Sequence, residues 1–194
     1  MNRLGIEMLT LLGMPPVEHV KLAAELGCVS ISTGLTGLPL APFGYPDVTL
    51  YPEWSLESDP AMRCEMKAAL RDTGVHIGLG EGFRVRPDGD VRDRGAGLDI
   101  MAELGALRIN AVSMETDMAR THDQLAALAD MVVERGMIFT LEFAPPNAID
   151  SLQSALPADV EIGLEVPRIQ DLQGGMSPRD HAVRCVAAAR ELGA

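Results

Sequence analysis

The feature that most constrains this chain is a change of hydrophobic period that recurs six times along it. A short run patterned at every second residue gives way to a longer stretch with apolar residues three and four apart, and the alternation then repeats. That is the signature of α/β architecture, in which each strand feeds a helix that returns the chain to a parallel neighbour. The strand-like runs are "RLGIEML" (3–9), "CVSIST" (28–33), "VHIGLG" (75–80), "LRINAVSME" (107–115), "MIFTLEF" (137–143) and "VEIGLEV" (160–166). Helical patterning follows at 15–27, 59–74, 90–105, 117–136, 147–156 and 177–194. The first helix, "PPVEHVKLAAELG", has prolines where a helix starts and Gly27 where it stops. The histidines in helical stretches, His19, His122 and His181, read as surface residues.

The strands separate two faces. Val75, Ile77 and Leu79 share one side of their run, and His76, Gly78 and Gly80 the other. Phe139, Leu141 and Phe143 oppose Thr140 and Glu142, and Ile162, Leu164 and Val166 oppose Glu161, Gly163 and Glu165. One face is bulky and apolar, and the other is small or polar. This suits a parallel barrel whose strands pack on outer helices and line a polar interior. An open doubly wound sheet, buried on both faces, favours continuous Val/Ile/Leu runs instead. With 194 residues, the chain is expected to form a single domain, residues 1–194, of the TIM-barrel type.

Barrel chemistry sits at the C-terminal ends of the strands, where Glu7, Glu115, Glu142 and Glu165 fall. Glu142 in "TLEFAP" and Glu165 in "GLEVP" have matching contexts and inward parity, and are the leading catalytic candidates. Carboxylates converging on one point invite a divalent cation. Glu115 is a candidate for substrate binding, with a solvated strand-end role as the alternative. His76, with its inward parity, is either a ligand or acid/base group or a satisfied interior histidine.

The stretch 33–54 lacks periodicity and holds Phe43, Tyr45, Tyr51 and Trp54. Loops of this length are usually functional or disordered. It reads either as a lid that offers Tyr51 and Trp54 to a substrate or as a loop pinned by its own aromatics. "GLGEGF" (78–83) has G-x-G-x-G rather than G-x-G-x-x-G spacing and no helix directly after it, which makes it weak evidence for a nucleotide. Its glycines more plausibly let a ligand or a neighbouring side chain approach.

The net charge of −12 argues against nucleic acid and anionic membrane surfaces as partners. No apolar run approaches the length of a membrane span. Cys28, Cys64 and Cys185 are scattered and odd in number, which reads as buried free thiols rather than a disulfide framework. With no leader pattern in "MNRLGIEML", a cytoplasmic location is expected.

The stretches "LGIEML", "EGFRVRPDGDV", "LDIMAELGALRINAVSMETD", "RTHDQLAALADMVVERGMIFTLEFAP" and "ALPADVEIGLEVP" resemble the xylose-isomerase-like (βα)8 barrels. These are sugar and sugar-phosphate isomerases and epimerases, together with the endonuclease IV type of repair enzyme. The resemblance implies a divalent metal (manganese, magnesium, cobalt or zinc) held by a glutamate ending the fifth strand, an aspartate on the sixth, a histidine on the seventh and a glutamate on the eighth. Glu142 and Glu165 match the first and last of these. On that likeness they would hold the metal and move protons through an enediolate of a small polyhydroxylated carbonyl compound.

The chain departs from the family between those two glutamates. Only 22 residues separate them, "FAPPNAIDSLQSALPADVEIGL", too few for the sixth and seventh units. An internal deletion near 150–158 in the molecule, or a segment of about 60 residues missing from the sequence, accounts equally for the gap. A genuinely shortened barrel has open edges that must be covered, which predicts a homo-oligomer, and an incomplete ligand set, which predicts weak metal binding and reduced activity. The function expected is therefore isomerase or epimerase, with a lyase or dehydratase on the same scaffold, or a non-catalytic shortened barrel, as the alternatives.

Overall fold

A computed structural model describes residues 4–41, 48–142 and 161–162. The described residues form two compact units, one up to Gly78 and one from Leu79 onward. Strands and helices alternate as the sequence pattern requires. The strands are β1 (Gly5–Ile6), β2 (Ser30–Thr33), β3 (His76–Val85), β4 (Arg108–Ser113), β5 (Ile138–Leu141) and β6 (Glu161–Ile162). The helices are α1 (Pro16–Glu25), α2 (Pro60–Thr73), α3 (Gly95–Glu103) and α4 (Met118–Val133). The helical stretches expected at 147–156 and 177–194 lie outside the described residues. Among the described residues no helix is long and apolar enough to cross a membrane.

In the first unit, β1 and β2 pair in parallel, Gly5 with Ser30 and Ile6 with Ile31. The first strand is shorter than its pattern suggests, because Glu7 turns the chain. Its Oε2 accepts from the N–H groups of Leu9 and Thr10 at 2.8 and 3.2 Å and so caps a 3-10 turn over Met8–Leu11. Pro16 opens α1, and Gly27 follows it at φ 67°. The buried stripe of α1 is Pro16, His19, Val20, Leu22 and Ala23. His19 is thus a core residue, 1% exposed, and not the surface residue expected. It hydrogen-bonds the backbone of Ile6, while its Nε2 is buried without a partner, and burial holds its pKa down at about 4. Asp59 caps α2 through Met62 N–H at 3.0 Å. Of the cysteines expected to be buried, Cys28 is buried, Cys64 is exposed and Cys185 lies outside the described residues.

In the second unit, β3, β4, β5 and β6 are neighbours in sequence order, and all pairs are parallel. β3 runs five residues past its expected end and contains an irregularity, since Gly80 pairs with Ile109 but Phe83 with Ala111. Three residues on one strand thus oppose two on the other, with Gly82 at φ 88°. β3 has already left simple alternation before this bulge. Gly80, expected on the interior face, lies on the helix side, where an added Cβ would meet Ile109 at 2.8 Å and Met101 of α3 at 3.0 Å. The core of this unit is Phe83, Val85, Leu98, Met101, Ile109, Leu128 and Leu141, each no more than 1% exposed.

β6 lies directly against β5, with Thr140 opposite Glu161 and Leu141 opposite Ile162. Of the run 160–166, Glu161 and Ile162 thus stand directly beside the strand of "TLEFAP", and Glu165 lies outside the described residues.

Candidate functional site

The register of β4 and β5 brings a polar group together at the strand ends. Ile109 faces α3, so Asn110 and Val112 of β4, with Thr140 and Glu142 beside β5, occupy the opposite face. Glu142 continues the ladder through its N–H to the Ala111 carbonyl at 2.9 Å. Its Oε2 accepts from Asn110 Nδ2 at 2.9 Å. The Thr140 hydroxyl donates to the Ile109 carbonyl at 3.1 Å and lies 3.4 Å from Asn110 Oδ1. That contact favours the amide orientation that presents N–H to the carboxylate. Glu142 is half-buried and Asn110 buried. The result is a carboxylate held by a neighbour on the adjacent strand, with no hydrogen bond to its second oxygen among the described residues. Asn110 was not singled out in the sequence; its signal was one amide in the middle of an apolar strand.

The other expected site residues are placed elsewhere. Glu115 is buried at 6% exposure. Its carboxylate is occupied, Oε1 by the Asp117 N–H at 2.9 Å and Oε2 by Arg120 Nε at 3.0 Å. It anchors the first turn of α4, where Asp117 caps through Ala119 and Arg120. His76 is exposed and opens β3, at the end of the strand away from the βα loops. Neither placement suits substrate binding. Glu165 lies outside the described residues.

Tyr51 and Trp54 line one cavity of about 470 Å³ within the first unit, with Leu12, Gly13, Leu38 and Leu40. Trp54 is buried, and its Nε1 donates to the Gly13 carbonyl at 2.9 Å. The two ends of its loop are stitched together by the Thr36–Ser55 bridge, Gly37 N–H to Trp54 O at 3.1 Å and Leu56 N–H to Leu35 O at 2.7 Å. Trp54 therefore pins the loop, while half-buried Tyr51 keeps a face on the cavity. Burial, followed by the negative charge of Glu18, raises the Tyr51 pKa above its ordinary value.

A second cleft of about 300 Å³ lies in the second unit beyond β3 and carries Arg84, Arg86 and Arg94. In the sequence each of these arginines sits in a stretch of mixed charge, which gives no local signal.

Several solved structures share this arrangement. A xylose isomerase-like TIM barrel protein from Mycobacterium smegmatis, in complex with magnesium, matches at a TM-score of 0.53 with 15% identity, covering 80% of this chain and 59% of that one. The fold is that of the xylose isomerase-like TIM barrels. A xylose isomerase domain containing protein from Salmonella typhimurium matches this barrel at a TM-score of 0.54 with 13% identity, over 73% of this chain and 49% of its own. The xylose isomerase-like part of a fusion with 4-hydroxyphenylpyruvate dioxygenase matches at 0.54 with 18% identity, over 79% of this chain and 24% of that one. The chain spans about half the length of most of the structures it matches. No protein-family model matches the sequence, and no curated protein resembles it significantly. With β6 directly beside β5, the chain is an incomplete xylose isomerase-like barrel, its six described strands compared with the eight of a full one.

Proposed function

We propose that the chain is an isomerase or epimerase of a small polyhydroxylated carbonyl compound, with Glu142 as the proton-transferring group. The observation that carries this is the Asn110–Glu142 pair at 2.9 Å, at the strand end where barrels of this fold place their chemistry. Glu142 takes a proton from the carbon next to the carbonyl, leaving an enediolate, and returns it to the neighbouring carbon in isomerisation, while in epimerisation Glu165 would protonate the opposite face of the same carbon. Asn110 acts through Glu142 as a positioning residue. Its amide restricts the carboxylate to one rotamer and leaves the second oxygen to meet the substrate.

A divalent cation, when bound, polarises the carbonyl and acidifies the adjacent C–H. Glu142 offers hard oxygen donors that fit such a cation as one ligand among several, with Glu165 the second carboxylate. Among the described residues no three His, Cys, Asp or Glu side chains come together as a metal site. Binding is accordingly expected to be weak, and titration of manganese that shows tight binding surviving Glu142→Gln contradicts the assignment. The magnesium in the Mycobacterium smegmatis structure belongs to that protein and supports a cation only by likeness of fold.

A second reading, a binding module that keeps the fold without turnover, is favoured by the direct β5–β6 pairing, which leaves no strands between for further ligands. Incubating the protein with manganese and a panel of aldoses, ketoses and their phosphates in deuterated water separates the readings. Deuterium at the α-carbon without a new chromophore supports isomerisation. A conjugated carbonyl chromophore marks elimination, and binding without exchange marks the module.

A further inference from the structure

The cavity of the first unit is walled mainly by aliphatic side chains, Leu12, Leu38, Leu40, Val48 and Leu50, with Tyr51 beside them. At about 470 Å³ it has the size of a small-molecule site. Val48 and Leu50 are 43% and 40% exposed, so apolar surface that folding ordinarily removes from water stays open here.

One wall is strained into place. Leu12 adopts φ 50° and ψ 43°, and among the described residues it is the one non-glycine residue at positive φ. Such a conformation costs about 1–3 kcal/mol and persists only where its surroundings enforce it. Here the Leu12 N–H donates to the Leu9 carbonyl at 3.1 Å and the Gly13 N–H to the Met8 carbonyl at 3.2 Å. Gly13 follows at φ 78°, where an added Cβ would meet the Leu38 Cβ at 2.8 Å, and its carbonyl accepts from the Trp54 indole. Walls held in this way are formed before a ligand arrives, which lowers the entropic cost of binding.

Charge selects what the cavity can hold. Among the described residues that line it, Glu53 is the one charged side chain. The Tyr51 pKa is raised first by burial and then by the charge of Glu18, which places that α1 carboxylate close to the ring. Neither glutamate is paired with a base among the described residues. Lys21 stands one turn along α1 from Glu18 and outside the lining, and Arg63 donates to the backbone carbonyls of Leu56 and Glu57. His19, its pKa held down at about 4 by burial, is uncharged near neutral pH. An anionic ligand would meet only negative charge, whereas a cation gains from both glutamates and from the face of the Tyr51 ring. We propose that this cavity binds a small organic cation, an amine or quaternary ammonium carried on an aromatic or branched apolar body. The body fills the space beside Leu12, Leu38 and Leu40, and the ammonium sits at the rim with Tyr51 and Glu53.

The site belongs to the first unit alone and owes nothing to Glu142. Calorimetry on the whole protein compares phenethylamine, phenethyl alcohol and phenylacetate, which share a ring and differ in charge, with ethylamine, which keeps the charge and lacks the ring. Phenethylamine should bind saturably below about 10 mM, the alcohol about threefold more weakly, and phenylacetate and ethylamine at least about tenfold more weakly. Glu18→Gln combined with Glu53→Gln should weaken the amine about fivefold and leave the alcohol within about twofold, since exposed ion pairs contribute little individually. Leu50→Trp, which fills the rim, should weaken amine and alcohol alike by at least about fivefold, and Glu142→Gln should change neither. Glu18, Leu50 and Glu53 are exposed, so these variants keep the fold, as their melting curves will show. No saturable amine binding up to about 10 mM, alcohol or phenylacetate binding more tightly than the amine, amine affinity unchanged in the double glutamate variant or in Leu50→Trp, or amine binding lost in Glu142→Gln each overturns the site.

Discussion

Asn110 and Glu142 lie 32 residues apart in sequence and 2.9 Å apart in space, and their hydrogen bond is the smallest unit on which the functional account depends. A hydrogen bond to a charged group contributes about 1.5–3 kcal/mol. If Asn110 acts by orienting Glu142, Asn110→Ala should lower stability by about that amount and, in the protein that remains folded, lower kcat about tenfold with KM within about twofold. A variant that loses stability while folded protein keeps its kcat would make Asn110 merely structural. Glu142 could be read from sequence because proline closes its strand and its parity is polar. Asn110 could not, because the register between β4 and β5 is a tertiary property that no local pattern encodes. Glu115 shows the converse: a strand-end glutamate looks catalytic until Arg120 and Asp117 are seen to occupy both of its oxygens.

At the scale of elements, α1 carries a pH dependence that its pattern concealed. His19 shares the buried stripe with Pro16, Val20 and Ala23, at the spacing of a helix face, so the clue was present in "PPVEHVKLAAE". Its pKa falls from 6.5 to about 4 because burial penalises the charged ring. The unfolded chain keeps the ordinary value and binds the proton first, so the contribution to stability is complete above about pH 6.5 and is lost as pH falls towards 4. The loss amounts to about 3 kcal/mol and levels off below that window. Denaturant unfolding between pH 7 and 4 should show it, and His19→Leu should flatten that part of the profile; an unchanged slope in the variant would remove His19 as the cause.

The aromatic loop is a second element whose role the structure sharpens. Trp54 donates to Gly13 from a buried position. Trp54→Phe should cost about 1 kcal/mol, or a drop in Tm of about 2–4 °C, with ligand affinity little changed. A loss of affinity without a change in Tm would restore Trp54 to the binding surface. The strand expected at 75–80 misjudged β3 because the bulge near Gly82 shifts parity partway along it. Arg84 nonetheless keeps the parity of His76 and Gly78, the face shared with Glu142.

At the scale of the whole molecule, the alternation of periods defined a parallel α/β chain, and the spacing of the two glutamate strands anticipated that β6 would stand beside β5. Tertiary pairing beyond that is set by contacts distant in sequence, which is why the consequences of shortening must be measured. Among the described residues β1 and β6 each have one strand neighbour. A barrel short of two strands has edges that must be paired or covered, so light scattering at micromolar concentration is expected to report a homo-oligomer; a monodisperse monomer would show that each edge is satisfied within one chain.

Solvent exchange with and without the Glu142 carboxylate tests the central claim most directly. The protein with manganese and an aldose, a ketose or one of their phosphates should incorporate deuterium at the α-carbon, and Glu142→Gln, folded as judged by its circular dichroism, should reduce that rate by at least about a hundredfold. Exchange at an undiminished rate in the variant would contradict the account, because the proton would then move without the group that the strand end, the register and Asn110 together hold in place.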